Sequence, residues 1–250
     1  MPSINEVREF WDENVCGDVF TDISDRESEK YVTATRDQRY KYAYHLKPFL
    51  QRVAAVKKPV LEIGCSQGVD LAELAKLGCE VTGFDLSPRA IELAKKRFQF
   101  EGLNAKFIVG NAEEMAIPDS SVDVVYSCGV LHHTPNIAAA FKDVYRILRP
   151  GGKIFIMLYS KYSLNNLVHV LFRLPYESPK DLSKDAPVTM TFSKKGIEEL
   201  LADFAPLTIE KEYLFGAGWK PVVDMVPTFA NRGLGKIMGW HWMIEGTKPA

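Results

Sequence analysis

The feature that most constrains the fold is the regular alternation of short apolar runs with amphipathic stretches between Lys58 and Ser160. Apolar runs of this length are typical of buried strands, and the stretches between them have helical spacing. Repeated β–α–β units of this kind build a mostly parallel sheet with helices on both faces. We therefore predict an α/β fold: a doubly wound, mostly parallel, seven-stranded sheet with helical cap segments. The predicted strands are residues 59–64, 80–86, 105–111, 122–129, 153–160, 207–214 and 239–249.

Helices are predicted between the core strands, and Ser87 marks the start of one of them. Serine is a favoured N-cap residue, and Pro88 fits the first helical position, where its missing N–H costs no hydrogen bond. The basic run Lys95–Arg97 falls in this helix, so we interpret it as a solvated helical face. The predicted helices cover residues 69–78, 87–98 and 136–148, with others outside the core at 7–11, 36–50, 164–174 and 193–204.

Composition and net charge indicate which classes of binding partner and which cellular location to expect. The formal net charge is −1, whereas proteins dedicated to nucleic acid show a basic excess, so we expect no nucleic-acid partner. The four cysteines show no metal-type pairing, which favours buried thiols in a reducing cytoplasm and no metal site. The apolar runs are shorter than the ~20 residues that span a bilayer, and the acidic N-terminus does not resemble a signal peptide. We expect a cytoplasmic protein without an integral membrane segment.

The turn after the first predicted strand indicates a ligand site. In open parallel sheets ligands bind beyond the carboxyl ends of the strands, and Gly64–Gly68 lies at such an end. Glycines let a ligand approach the main chain closely. The spacing G-x-x-x-G differs from the G-x-G-x-x-G that seats a pyrophosphate. Glu62 before the turn would repel a phosphate and attract an ammonium group.

Polar groups also follow the next two strands. Asp85 ends the second strand, at about the 20-residue separation where an acid meets the hydroxyls of a bound ribose. Asn111, Ala112 and Glu113 follow the third strand, where polar side chains would meet the edge of a purine. A nucleoside with a cationic amino-acid tail fits these groups, and S-adenosylmethionine has that shape.

Four ordered motifs resemble those of the class I S-adenosylmethionine-dependent methyltransferases, in particular the ubiquinone/menaquinone-type and small-molecule O- and C-methyltransferase branch. The resemblance implies a Rossmann-like methyltransferase fold with S-adenosyl-L-methionine as cofactor. The chain departs from the family pattern at Ser66, where a glycine is usual, so we expect a slightly altered loop. The motifs are VLEIGCSQG (60–68), VTGFDLSPRAIELAKKR (81–97), VGNAEEMAIPDSSVDVVYSCGVLHHTPN (109–136) and RILRPGGKIFI (147–156).

The resemblance also implies roles for individual residues. The glycines of the turn would border the methionine part of the cofactor, Asp85 would bind ribose hydroxyls, and the backbone near Cys128 would meet the amino group. Ala112 and Glu113 would lie along the adenine, and Glu62 would orient the turn from beneath. The implied cofactor-binding set is Glu62, Gly64, Ser66, Gly68, Asp85, Leu86, Asn111, Ala112, Glu113 and Cys128.

Two histidines follow the fourth strand and are candidates for catalysis. Methyl transfer from a sulfonium depends mainly on alignment of the acceptor, and a base near neutral pKa helps a hydroxyl acceptor. His133 matches an L-x-H pattern of the family, which indicates a packing or backbone hydrogen-bonding role. We therefore prefer His132 as the general base. His45, His169 and His241 have no motif context.

The chain is predicted to form one domain in four segments. These are an N-terminal helical cap (1–50), a cofactor-binding core (51–160), a cap or lid insertion (161–192), and a C-terminal helix with closing strands (193–250). The apolar helix at 164–174 is predicted to be a lid over the acceptor, with an oligomer contact and a membrane-surface element as alternatives.

The sequence favours a methyltransferase that acts on a small organic acceptor, with O- or C-methylation preferred and a homodimer left open. One alternative is a catalytically silent scaffold of the same fold that only binds the cofactor. Another is a nicotinamide-dependent oxidoreductase, which the absence of G-x-G-x-x-G disfavours.

Overall fold

The computed structural model describes residues 2–16, 23–26, 28–177, 185–215, 225–226 and 228–250. These residues contain a seven-stranded sheet. Its strands are β1 Val60–Ile63, β2 Val81–Asp85, β3 Lys106–Val109, β4 Val122–Cys128, β5 Leu148–Tyr159, β6 Leu207–Glu212 and β7 His241–Thr247.

The strand order is β3-β2-β1-β4-β5-β7-β6. The first five strands pair in parallel, while β7 runs antiparallel to both of its neighbours, β5 and β6. The predicted doubly wound, mostly parallel sheet is therefore confirmed. The order reverses between β1 and β4, where the connecting loops part and leave a crevice at the carboxyl ends of the strands.

Helices cover both faces of the sheet because successive strand residues point to opposite sides. Val60 packs into one core with the helices at 46–54, 69–76 and 88–100, and Leu61 and Ile63 pack into the other with those at 137–147 and 194–200. No helix in these parts of the chain is both long and apolar enough to cross a membrane. The helices are α1 Ile4–Glu13, α2 Glu29–Tyr42, α3 Leu46–Ala54, α4 Val69–Lys76, α5 Pro88–Phe100, α6 Ile137–Ile147, α7 Leu164–Phe172, α8 Lys194–Leu200 and α9 Thr228–Met238.

Several element boundaries differ from the predictions. The single helix expected at 36–50 is two helices, α2 and α3, separated by Ala43–His45. Strand β5 begins at Leu148 rather than at 153, because Pro150–Gly152 joins the strand through an irregularity in its pairing with β4. Helix α9 was not predicted. Part of the predicted cap or lid insertion (161–192) lies outside the described residues.

The interpretation of Lys95–Arg97 as a solvated face is wrong for Arg97, whose side chain is buried. Its Nε donates to the Gln67 carbonyl at 2.8 Å and its Nη1 to the Val32 carbonyl at 2.9 Å. Its Nη2 donates to Thr35 Oγ1 at 2.7 Å. The guanidinium thus fastens α2 and the turn after β1 to α5, and it satisfies buried carbonyls that would otherwise lack partners.

We predict that Arg97→Met lowers the free energy of unfolding by about 3 kcal/mol, because it leaves buried acceptors unpaired. Lys95→Met, two residues away on the exposed side of α5, is the matched control and changes it by less than about 0.5 kcal/mol. Chemical denaturation of both variants measures the difference. Equal stability of the two variants would contradict a structural role for the Arg97 guanidinium.

Candidate active site

The turn after β1 packs its main chain against the residues that follow β4. Gly64 has φ of +74°, and a Cβ at this position would lie 2.2 Å from Val130 Cγ2, so the turn requires glycine here. Ser66 also lies in the left-handed region, with φ of 48°. That conformation costs a residue with a side chain ~1–2 kcal/mol. The serine therefore adopts a backbone conformation that a glycine would accept without strain.

Asp85, the last residue of β2, holds two loops together. One carboxylate oxygen accepts from the Ser66 N–H at 2.7 Å and the other from the Ser87 N–H at 2.9 Å. Ser87 in turn caps α5, as predicted, by accepting from the Ala90 N–H at 2.9 Å. Burial raises the pKa of Asp85 to about 6, although the backbone hydrogen bonds lower it. A carboxylate has about four acceptor positions, so Asp85 retains capacity on its cavity side.

Glu62 is buried beneath the turn. Its Oε2 has no hydrogen-bond partner within the described ranges. Burial raises the pKa of Glu62 well above its usual range, and the negative charge of Asp70 raises it further. Burial therefore disfavours the charged form of this carboxyl group. It is a buried polar group that a hydrogen-bond donor in the cavity would satisfy.

A salt bridge that sequence reasoning missed lies next to Glu62. Arg39 on α2 donates through Nε to Asp70 Oδ1 at 2.7 Å and through Nη2 to the other carboxylate oxygen. The hydroxyls of Tyr40 and Tyr126 donate to the same carboxylate at 2.9 and 2.8 Å. Burial raises the pKa of Asp70, but the Arg39 charge and these hydrogen bonds lower it by more, so the net pKa is depressed. The ion pair fixes Arg39 on the cavity wall.

The loop after β3 contributes a third wall. Asn111 and Ala112 line the cavity, and Asn111 Oδ1 accepts from the Glu113 N–H at 3.0 Å. Glu113 is turned elsewhere: its Oε1 accepts from the Asn136 N–H at 2.7 Å, at the start of α6. The Glu113 side chain therefore contacts the start of α6 and does not line the cavity, where the adenine is expected.

These loops surround a cavity of about 780 Å³. Most of the predicted residues line it, but Gly68 does not. A Cβ at Gly68 would lie 3.1 Å from Ala94 Cβ, so this glycine serves the close packing of α4 on α5. The predicted residues that line the cavity are Glu62, Gly64, Ser66, Asp85, Leu86, Asn111, Ala112, Cys128 and His133.

The preference for His132 as the general base is wrong, whereas His133 makes a backbone hydrogen bond, as expected, and also lines the cavity. His132 is fully buried, does not line the cavity, and packs against Tyr159 in a tilted arrangement with ring centroids 3.9 Å apart. Both of its ring nitrogens lack partners within the described chain, and burial holds its pKa well below 6.5. His133 instead lines the cavity. Its Nδ1 lies 2.8 Å from the carbonyl of Val188, which can only accept, so Nδ1 carries the proton and Nε2 the lone pair.

A second carboxylate in the cavity was also missed. Glu177 follows α7, lines the cavity, and accepts a hydrogen bond from the Tyr159 hydroxyl. Its Oε1 lies 4.0 Å from His133 Nε2. Burial raises the pKa of Glu177 to about 7, although the Tyr159 hydrogen bond lowers it. Glu177 belongs to no recognisable sequence motif. Only the fold of the chain after α7 brings it close to His133.

Aromatic rings from several segments build the far wall of the cavity. Trp240 stacks on Tyr159 with centroids 4.2 Å apart, and on Tyr176 at 5.9 Å with rings nearly parallel. His169 and His241, which had no motif context, also line this wall. The cavity therefore has a polar side at the ends of β1 and β2 and an aromatic side below α7.

We predict that Gly64→Ala loses more stability than Gly78→Ala. Both positions have positive φ, so both variants bear the cost of a left-handed alanine, about 1–2 kcal/mol. A Cβ at Gly78 meets nothing within 4 Å, whereas at Gly64 it collides with Val130. The collision adds about 1–3 kcal/mol. Thermal and urea unfolding compare the pair, and an equal loss would show that the turn is not packed as described.

Comparison with known proteins agrees with this geometry. Residues 61–156 match a family model described as a methyltransferase domain. A sterol 24-C-methyltransferase of Aspergillus fumigatus is 26% identical over 235 residues, which cover 79% of this chain and 62% of the relative. A ubiquinone biosynthesis O-methyltransferase of Saccharophagus degradans is 33% identical over 106 residues, 42% of this chain and 45% of the relative. The chain thus spans less than two thirds of the length of these curated relatives.

A solved structure with the same fold is an S-adenosylmethionine-dependent methyltransferase of Thermotoga maritima. It superposes with a TM-score of 0.64 at 18% identity, over 97% of this chain and 99% of that chain. The matched domain contains the turn after β1, Asp85 and the residues after β3 and β4. Residues 61–156 therefore form a methyltransferase domain of the class I S-adenosylmethionine-dependent type, a family whose cofactor is S-adenosylmethionine.

Proposed function

We propose that this chain transfers the methyl group of S-adenosylmethionine to a small, largely apolar organic acceptor, by O- or C-methylation. The observation that carries the proposal is that one cavity joins the methyltransferase motif residues to an aromatic wall and to Glu177. A cofactor on the polar side and an acceptor on the aromatic side would then share a single cavity, as direct transfer requires.

The residues present fit this cofactor. Asp85 offers carboxylate oxygens to ribose hydroxyls, and Glu62 offers a buried, unpaired oxygen to the amino group of the methionine tail. Leu86 and Ala112 supply apolar surface for the adenine. Asp70 engages Nε and Nη2 of Arg39, so Nη1 is the donor group that would meet the carboxylate of the methionine tail.

Acceptor binding is assigned to the aromatic side of the cavity. Trp240, Tyr176 and Tyr159 present large apolar ring surfaces. Such surfaces favour a flat or extended apolar molecule with few charges, since a charged acceptor would lose its hydration without gaining a partner. The named relatives act on sterols or in ubiquinone biosynthesis, which supports an acceptor of this polarity.

The cavity also holds a group suited to accept a proton. When bound, S-adenosylmethionine supplies a sulfonium-activated methyl group, and its sulfur keeps the electron pair of the broken carbon–sulfur bond. An acceptor hydroxyl that bonds to the methyl carbon must lose its proton. Glu177, with a pKa of about 7, is poised to take that proton at neutral pH. His133, neutral because burial lowers its pKa to about 4, presents its Nε2 lone pair beside Glu177.

Methyl transfer to defined acceptors tests the proposal. The full chain is incubated with methyl-labelled S-adenosylmethionine and, separately, with a phenolic quinone precursor, a sterol and a charged amine. We expect label in an apolar hydroxyl or carbon acceptor and none in the charged amine. Binding of S-adenosylhomocysteine without transfer to any apolar acceptor would contradict catalysis and favour the silent scaffold.

We predict that Glu177→Gln lowers kcat by about 10²- to 10⁴-fold with a hydroxyl acceptor, because it removes the proton acceptor. The wild-type kcat should rise with pH through about 7, as the Glu177 carboxyl ionises, and the variant should lose this inflection. Stopped assays across pH give both curves, and calorimetry shows whether cofactor binding is retained.

Glu198→Gln, on the outer side of α8, is the matched control for the same chemical change. It should keep the wild-type kcat and pH profile. A Glu177→Gln enzyme with full activity and an unchanged inflection would assign the proton to another group.

A further inference from the structure

Helix α7 buries polar residues and exposes apolar ones, which is the opposite of an ordinary surface helix. Its buried residues are polar, Asn165 and Asn166, while Leu171 is 68% and Phe172 65% exposed. A surface helix of a globular protein normally buries its apolar face. Leu167, Val170 and Leu171 follow the i, i+3, i+4 spacing of one helical face, and all three are exposed. This face is apolar and has no cover within the described chain.

Helix α9 adds a second apolar face of the same kind. Leu234, Ile237 and Met238 repeat the i, i+3, i+4 spacing and are exposed, Ile237 to 70%. The ammonium of Lys211 joins the two elements, because it donates to the carbonyl of Tyr162 at 2.6 Å and to that of Ile237 at 3.1 Å. The start of α7 and the last turn of α9 therefore lie near each other, and the exposed apolar side chains of the two helices are considered as one surface. We call them together the outer apolar surface: Tyr162, Leu167, Val170, Leu171, Phe172, Leu234, Ile237 and Met238.

The charged side chains on α7, on α9 and directly flanking α7 are all basic, although Glu212 of the neighbouring strand β6 lies close enough to Arg232 and Lys236 to interact with both. Exposed Lys161 and Arg173 flank α7, and exposed Arg232 and Lys236 lie on α9. Neither residues 161–174 nor residues 228–238 contain an Asp or a Glu, although the chain as a whole has a net charge of −1. Exposed Leu and Phe bordered by Lys and Arg are typical of helices that lie in the headgroup region of an anionic membrane.

A second copy of the chain fits this surface less well. A two-fold contact would place the same patch against itself, and the basic residues that border it would face one another. Like charges brought together at an interface oppose association. Helix α7 has 9 residues, far fewer than the ~20 needed to span a bilayer, so insertion is limited to the interface.

We propose that α7 and α9 dock this protein on an anionic phospholipid bilayer, with the outer apolar surface entering the headgroup region. The proposal rests on this surface and not on methyl transfer. It also gives α7 two roles, because the inner side of the helix supplies His169 to the cavity wall. An acceptor drawn from the bilayer would thus meet the helix that borders its binding site.

Vesicle co-sedimentation of the full chain tests the proposal without cofactor or acceptor. The probes are phosphatidylcholine vesicles and vesicles of phosphatidylcholine mixed with phosphatidylglycerol. We expect the protein to sediment with the mixed vesicles, to bind the neutral ones more weakly, and to be released by high salt. The double variant Leu171→Ser/Phe172→Ser should weaken partition by about tenfold or more, since two apolar side chains no longer enter the membrane.

Matched control variants distinguish binding through the outer apolar surface from nonspecific adsorption to vesicles. Phe100→Ser changes an exposed phenylalanine at the end of α5, outside the outer apolar surface, and should partition as the wild type does. Arg173→Glu/Lys236→Glu should reduce binding to the anionic vesicles, whereas Lys142→Glu on α6 should change it much less.

Two results would overturn the proposal. One is wild-type protein that stays in the supernatant with anionic vesicles, or that binds no better than Leu171→Ser/Phe172→Ser. The other is a dimer in sedimentation velocity that this double variant dissociates, with no vesicle binding, which would assign the surface to a second copy. Failure of vesicle binding leaves labelled methyl transfer to a dispersed acceptor unaffected, so the two proposals fail separately.

Discussion

The carboxylate of Asp85 is the interaction on which the rest of the site depends. It accepts from the N–H groups of Ser66 and Ser87, which belong to the loops after two neighbouring parallel strands. These bonds hold Ser66 in a left-handed conformation and start α5 beside the cavity. They also leave a buried anion with spare acceptor capacity facing the cavity. The same group that shapes the site is therefore the one best placed to meet ribose hydroxyls.

The cavity divides between the core sheet and the added segments. Its polar side is built from the ends of β1, β2 and β3, which a parallel sheet brings to one edge whatever the acceptor is. Its aromatic side is built from Tyr159, the last residue of β5, and from Tyr176 and Trp240, which follow β5 in the chain, and Glu177 lies beside these rings. Acceptor choice in such an arrangement depends on the added segments, since the fold alone does not fix it. The outer apolar surface belongs to the same segments, so the proposed membrane contact would lie next to the proposed acceptor site.

Sequence patterns predicted the sheet well because the periodicity of apolar residues and the spacing of turn residues are visible within a few neighbouring positions. The core strands, the Ser87 cap and the cavity-facing positions of Asp85 and Ala112 follow from runs of a few residues. Helix α9 was missed because Gly233 and Gly235 lower its helical propensity, and packing of Gly235 close to the backbone of Tyr213 supports it instead.

Residues that depend on long-range contacts were not predictable in the same way. Arg97 reads as part of a basic surface, yet carbonyls from α2 and the turn after β1 pair with it. The choice between His132 and His133 depends on the direction of one 3-10 turn, Leu131–His133. Glu177 becomes chemically interesting only because the chain returns it to His133. The sequence does not show which of two adjacent histidines faces the cavity, or which distant residue an isolated acid such as Glu177 will contact.

Calorimetric titration with S-adenosylhomocysteine tests the central claim most directly. The account predicts one-to-one binding to the wild type, and about 100-fold weaker binding to Asp85→Ala, since hydrogen bonds to a charged group contribute about 1.5–3 kcal/mol each. Asp37→Ala, which removes an exposed carboxylate on α2, should bind as the wild type does. Asp85→Ala protein that is folded and binds S-adenosylhomocysteine as tightly as the wild type would contradict the account.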